Sequence, residues 1–149
     1  MNGFAIFVAA LLVLFVAVAQ SVMTKTKRKK TRKLEMPQFT FSQALTANQL
    51  GFNPLAGWQY EYLPWPASIL LLVRATDVNE RLTIYSGSET IQERSPVQGG
   101  GTAGVTPTEF TTAPVSWQAA AGDRLKLVID NTTAGTPTVD GVIIANPLF

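Results

Sequence analysis

The feature that most constrains this chain is its beginning. From Phe4 to Ala19 every side chain is apolar, and Gly3 to Met23 gives 21 residues without a formal charge. As a helix rising 1.5 Å per residue this stretch spans roughly 31 Å, the thickness of a bilayer's hydrocarbon core. Twelve of the 21 are Leu, Ile, Val or Phe, which on the translocon scale contributes roughly −4 to −7 kcal/mol toward insertion. A helix serving a soluble core would carry a polar stripe, and this one has none. Residues 1–23 are therefore expected to form a transmembrane helix. The competing reading is a cleaved signal peptide, for which Ala17-Val18-Ala19 offers an A-x-A site. Against it, Met1-Asn2-Gly3 lacks the positive charge of an n-region. Ala5 and Ala9 form a small-xxx-small pair, but in so Ala-rich a helix plain lipid-facing packing is the better account of them.

A cationic run follows at once: Lys25, Lys27, Arg28, Lys29, Lys30, Arg32 and Lys33. Positive flanks are held on the cytoplasmic side during insertion, so the expected topology is N-terminus outside and C-terminus inside. Residues 24–37 then form a basic juxtamembrane linker. Three roles suit the run. It can anchor to anionic head groups, at about 1 kcal/mol per basic residue. It can neutralise nucleic-acid phosphates without sequence specificity, or clamp an acidic protein partner. Lying within a Debye length of the membrane surface favours the head-group role. The rest of the chain has the opposite character. Residues 34–149 hold five basic side chains against ten acidic ones, a net of −5.

After Pro37 the apolar pattern takes period two. Phe39 and Phe41 alternate with polar neighbours, as do Trp58, Tyr60 and Tyr62. Leu82 and Ile84, Val115 and Trp117, and Leu125, Leu127 and Ile129 do the same, while Ile69–Val73 and Val142–Ala145 are short continuous apolar runs. Turn residues separate them: Asn53-Pro54, Pro64 and Pro66, Ser86-Gly87-Ser88, Gly122-Asp123 and Asn131 through Pro137. Seven or eight short strands in roughly 110 residues indicate a mainly β domain, a small antiparallel sandwich or jelly roll over 38–149. The glycine-rich stretch from Val97 to Pro107 is expected to be a long loop, mobile or ordered by a partner.

Chemistry is hard to find. With no His and no Cys, the chain cannot build Ser-His-Asp or Cys-His catalysis or cysteine-based metal sites. Gly99-Gly100-Gly101-Thr102-Ala103-Gly104 lacks the Lys-Ser/Thr pair of a P-loop. Asp77, Glu80, Glu89, Glu93, Asp123, Asp130 and Asp140 have no EF-hand spacing. They read as turn and surface groups rather than as an acid/base pair or a metal site. No catalytic residue, metal ligand or cofactor is expected. The densest aromatic cluster is Phe52, Trp58, Tyr60, Tyr62 and Trp65. The period-two spacing of Trp58, Tyr60 and Tyr62 assigns them to a core face, which leaves Phe52 and Trp65 as the candidate protein interface. Asn131-Thr132-Thr133 is a glycosylation sequon that a cytoplasmic domain would not use.

The layout of the helix Gly3–Met23, the basic run Lys25–Lys33 and the strand-rich Gln38–Phe149 resembles the small membrane-anchored virion proteins of icosahedral phages with an internal membrane, corticoviruses and tectiviruses among them. The stretch from Trp117 to Leu127 is similar to strands of viral jelly rolls. The resemblance implies a minor capsid protein tethering the shell to the internal membrane, with no enzymatic activity. Its partners would be the lipid bilayer, major capsid or vertex proteins and further copies in a homo-oligomer, with genome contact through the basic run as an added option. It would sit in the host inner membrane before assembly. A different class of function is a cellular, membrane-anchored β module that captures a ligand or peptide, for which the aromatic cluster and the glycine-rich loop speak.

Overall fold

A computed structural model of the chain describes residues 36–148. The expected transmembrane helix and the basic run from Lys25 to Lys33 lie outside the described residues. Among those described there is no helix.

Seven strands are present: β1 (Gln38–Ala44), β2 (Ala67–Ala75), β3 (Glu80–Ser86), β4 (Glu89–Pro96), β5 (Val115–Ala119), β6 (Leu125–Asn131) and β7 (Thr138–Pro147). They form a four-stranded sheet in the order β1-β7-β2-β5 and a three-stranded sheet in the order β4-β3-β6. Every neighbouring pair is antiparallel. The domain is mainly β, as the alternation predicts.

One core joins the two sheets. Ile69, Leu71, Val73 and Ala75 of β2 and Val139, Ile143 and Ala145 of β7 cluster with Leu82 and Ile84 of β3 and Leu125, Leu127 and Ile129 of β6. These are alternate residues of their strands, because successive side chains of a strand point to opposite faces. Phe39 and Phe41 of β1 pack against this cluster. Phe41 faces Gly141 across the β1–β7 register, where any Cβ would collide with the Phe41 ring. Glycine is needed there so that the ring can lie across the neighbouring backbone. The β3–β4 hairpin turns through Gly87 and Ser88, with Gly87 at a φ of 58°, a conformation open to glycine at little cost.

One expectation is corrected, and one strand appears that the apolar pattern does not announce. Trp58, Tyr60 and Tyr62 do not form a strand. Residues 53–61 follow successive turns, and only isolated bridges from Phe52 to Ile129 and from Tyr62 to Arg124 align this stretch with β6. The tandem Asn53-Pro54 and the tight returns Trp58 N–H to Leu55 O and Glu61 N–H to Trp58 O override the alternation. Tyr62 is accordingly 59% exposed rather than part of a core face. The unannounced strand is β4, which carries no apolar alternation. It is an edge strand, bulged against β3 and rich in exposed polar groups. Charges and bulges are what protect such an edge from pairing with other chains.

Candidate functional site

The antiparallel topology divides the body into two ends. The chain enters the described body at Met36, beside the end of β7 and the start of β2. There the Ala145 N–H donates to Pro37 O and the Leu148 N–H donates to Pro66 O, at 2.9 and 2.8 Å. Trp65, Tyr62 and the Gly122-Asp123 turn share this end.

Two carboxylates hold it together. Glu61 accepts from Arg124 Nε at 2.7 Å and pairs with Arg124 Nη2 at 2.6 Å, while the Gly57 N–H donates to its other oxygen. These hydrogen bonds hold the Glu61 carboxyl below its ordinary range and raise the Arg124 guanidinium. Arg124 also lies over the Tyr62 ring, 5.6 Å from its centre. Asp123 caps the adjoining turns by accepting from Ser86 Oγ and the Ala120 N–H.

The opposite end carries four segments: residues 45–51, 76–79, 97–114 and 132–137. Asn131 organises it. Fully buried, its Nδ2 donates to Thr46 O and Gly135 O, and its Oδ1 accepts from the Thr133 N–H and hydroxyl. The sequon asparagine is thus consumed by the fold and has no amide to offer a glycan. Asp130 lies within β6, not in a turn as its Asp-Asn setting suggested. It accepts from the Gly51 N–H at 2.8 Å and faces Arg94 at 3.6 Å.

The glycine-rich loop was expected to be mobile or partner-ordered. Instead the chain fastens it to itself. Ala75 N–H donates to Gln98 O, Gly101 N–H to Ala75 O, Arg74 Nη2 to Gly100 O and Gly104 N–H to Asp140 Oδ1, at 2.7–3.1 Å. Farther along, Thr108–Thr112 forms a tight turn. Thr111 and Thr112 N–H both donate to Thr108 O at 2.9 Å, and the Thr108 N–H donates to Thr111 Oγ1 at 3.0 Å. Gln98 clips this turn by bonding Thr111 O and the Ala113 N–H.

Phe52 and Trp65, the candidate interface residues, are both half-buried and packed against the core. Phe52 exchanges both backbone hydrogen bonds with Ile129. Trp65 ends a run of aromatic contacts from Phe41 through Phe39, Trp58 and Tyr60, with ring centres 5.4–6.4 Å apart. Each therefore offers a partner only part of its surface.

Glu80 is the polar residue that sequence reasoning misplaced. Its side chain is 0% exposed, and the N–H groups near its oxygens are too poorly aligned to make full hydrogen bonds. Burial pushes its carboxyl up, with nearby Asp77 adding to the effect. The Glu80 and Asn79 N–H groups and Arg81 offset part of it. The signal was present, since Glu80 is in phase with inward Leu82 and Ile84.

Between the β4 and β5 edges lies a cavity of about 180 Å³, bounded by Leu71, Val73, Leu82, Pro96, Thr112 and Val115 among others. Among the described residues no cluster of acidic side chains is disposed to hold a metal ion. Comparison with protein-family models, curated proteins and solved structures returned no match to this chain.

Proposed function

We propose that this chain is a structural virion protein that ties a protein shell to the lipid membrane beneath it. The observation that carries the reading is the strand order. Sheets ordered β1-β7-β2-β5 and β4-β3-β6, with Phe52 bridged to Ile129 and Tyr62 to Arg124, support reading the domain as a jelly roll. In it one edge strand of the second sheet is reduced to two bridges. Jelly rolls recur in viral capsid proteins, though the fold alone does not fix a function.

The charge layout supports the membrane half of the reading. An apolar run long enough to span, followed by seven basic residues, directs the acidic body to the cytoplasmic side. When a host membrane curves into a vesicle within the cytoplasm, that side becomes the outer face, beneath a forming shell. The β domain then meets capsid or vertex proteins, and the short N-terminus faces the genome.

The test is extraction of purified particles with mild detergent. The chain is expected to stay with delipidated shells. Its loss with the lipid from intact shells rejects the tether. The second reading, a cellular membrane-anchored ligand-binding module, draws on the cavity between β4 and β5. It requires the body to be digested by protease in right-side-out vesicles, whereas the tether requires digestion only in inverted ones.

A further inference from the structure

Seven large apolar side chains among the described residues are exposed: Met36, Leu50, Tyr62, Val78, Val105, Phe110 and Leu148. Their distribution over the fold is uneven. Met36, Tyr62 and Leu148 belong to the end where the chain enters the body, and Tyr62 is covered in part by Arg124. Leu50, Val78, Val105 and Phe110 belong to the segments of the opposite end, one each on 45–51 and 76–79 and two on 97–114.

We infer that this opposite end is a protein-docking surface, with Phe110 as its anchor, and that its occupant is a subunit of the shell; the inference rests on the tether reading above. Three observations carry it.

Phe110 is fully exposed, yet it does not sit on a slack loop. The Thr108–Thr112 turn is closed by its own backbone and hydroxyl bonds and clipped to Gln98, which is itself bonded to β2. An exposed aromatic on a pre-ordered turn loses little conformational entropy when it enters a pocket, which is the property of an interface anchor.

The charge of these segments selects the partner's class. Residues 45–51, 76–79, 97–114 and 132–137 contain no Lys or Arg. Their only ionisable side chains are Asp77 and Glu109, each directly preceding an exposed apolar residue. The nearest cations are spent on the fold, Arg74 on Gly100 O and Arg94 on Asp130, so the segments offer phosphates and anionic head groups no free basic group. Such a surface suits a protein with an apolar pocket rimmed by basic or neutral polar groups.

The third observation is connectivity. Met36, the first described residue, stands at the other end of the body, next to Pro37, whose carbonyl accepts from the Ala145 N–H. The Phe110 end therefore carries no covalent link to the residues that precede the body.

The experiment places a photo-crosslinking benzoylphenylalanine at position 110 of the full chain in purified particles, and in a parallel preparation at exposed position 62. Docking predicts an adduct with the shell subunit from position 110 and none from position 62. It also predicts that Phe110→Asp leaves thermal stability unchanged but lowers retention on delipidated shells by about tenfold, the effect of losing an interface anchor. A chain retained in particles whose position 110 reacts only with lipid, or whose position 62 gives the shell adduct, overturns the docking surface and leaves the tether standing. A chain absent from particles and confined to cell membranes removes the tether, and the docking surface with it.

Discussion

The two flanks between the sheets close in different ways. Where β1 meets the segment after Phe52, the sheets are sealed by aromatic rings in succession: Phe41, Phe39, Trp58, Tyr60 and Trp65. Where β4 faces β5, the chain supplies a bulged strand and the short side chains of Thr112 and Ala113, and a cavity of about 180 Å³ remains. The contrast follows from composition. Residues 52–65 hold five aromatic residues, each able to bury 150–250 Å² or so, whereas β4 reads Glu-Thr-Ile-Gln-Glu-Arg-Ser-Pro. The lesson is that a flank without a regular strand need not be open. Large rings projecting from turns fill the gap that a regular strand would leave, while a complete strand with polar side chains does not seal its side.

The sharpest way to break this comparison is to remove a ring. Trp58 touches Phe39 on one side and Tyr60 on the other, with centres 5.6 Å away in both cases. Trp58→Ala is expected to cost about 3 kcal/mol, near the low end for truncating a buried aromatic because Trp58 is only half-buried. The shift in denaturation midpoint of the full chain measures it. A loss below about 1 kcal/mol, the scale of an ordinary surface-to-intermediate change, would mean that the rings decorate the flank and something else seals it.

The inward faces of β3 and β6 were legible because half-buried antiparallel strands alternate, whereas β2 and β7, interior strands of their sheet, were legible as short continuous apolar runs. Turns at Ser86-Gly87-Ser88 and Gly122-Asp123 were legible from glycine and aspartate chemistry. The path of residues 53–62 was not. Trp58, Tyr60 and Tyr62 have strand spacing, but the turn hydrogen bonds among Asn53, Leu55, Trp58 and Glu61 are local and outweigh it. β4 was hidden for the opposite reason, since an edge strand facing water needs no apolar period. At the loop end, no local pattern announces that Leu50, Val78 and Phe110 share one end. That follows only from the strand order, which is set by contacts distant in sequence.

A second pair of sites contrasts the ends of the molecule through pH. Glu61, held low by Arg124 and Gly57, contributes stability that is present above the usual carboxylate range and is lost as pH falls through its lowered folded value. Glu80, pushed up by burial, behaves oppositely: its contribution is full at acid pH and is lost as pH rises through its raised folded value. Glu61→Gln should therefore destabilise the chain by about 1–2 kcal/mol at neutral pH, between an exposed and a buried pair because Arg124 is half-exposed. That difference should shrink in acid. Glu80→Gln should stabilise the chain at pH 8, and that difference too should vanish in acid. Denaturant titrations of the full chain from acid to pH 8 distinguish the two profiles, and parallel curves for both variants would show that neither carboxylate has the role its surroundings dictate.

The smallest expected effect sharpens the flank comparison. Thr112 is only 4% exposed and its hydroxyl has no hydrogen-bond partner, although it borders the cavity. A buried hydroxyl left unsatisfied costs about 1–3 kcal/mol. Thr112→Val keeps the branched shape and removes the polar atom, so it should raise stability by up to about 1 kcal/mol. The same change in a hydroxyl that is in use should destabilise. Thr83 supplies that control, because its Oγ1 accepts from the Arg94 N–H at 3.1 Å within the bulge. If Thr112→Val stabilises and Thr83→Val destabilises, the β4–β5 flank holds unfilled capacity rather than a hidden polar network. If both destabilise, Thr112 is hydrogen-bonded through water in the cavity, and the flank is closed by solvent in place of the rings that close the other.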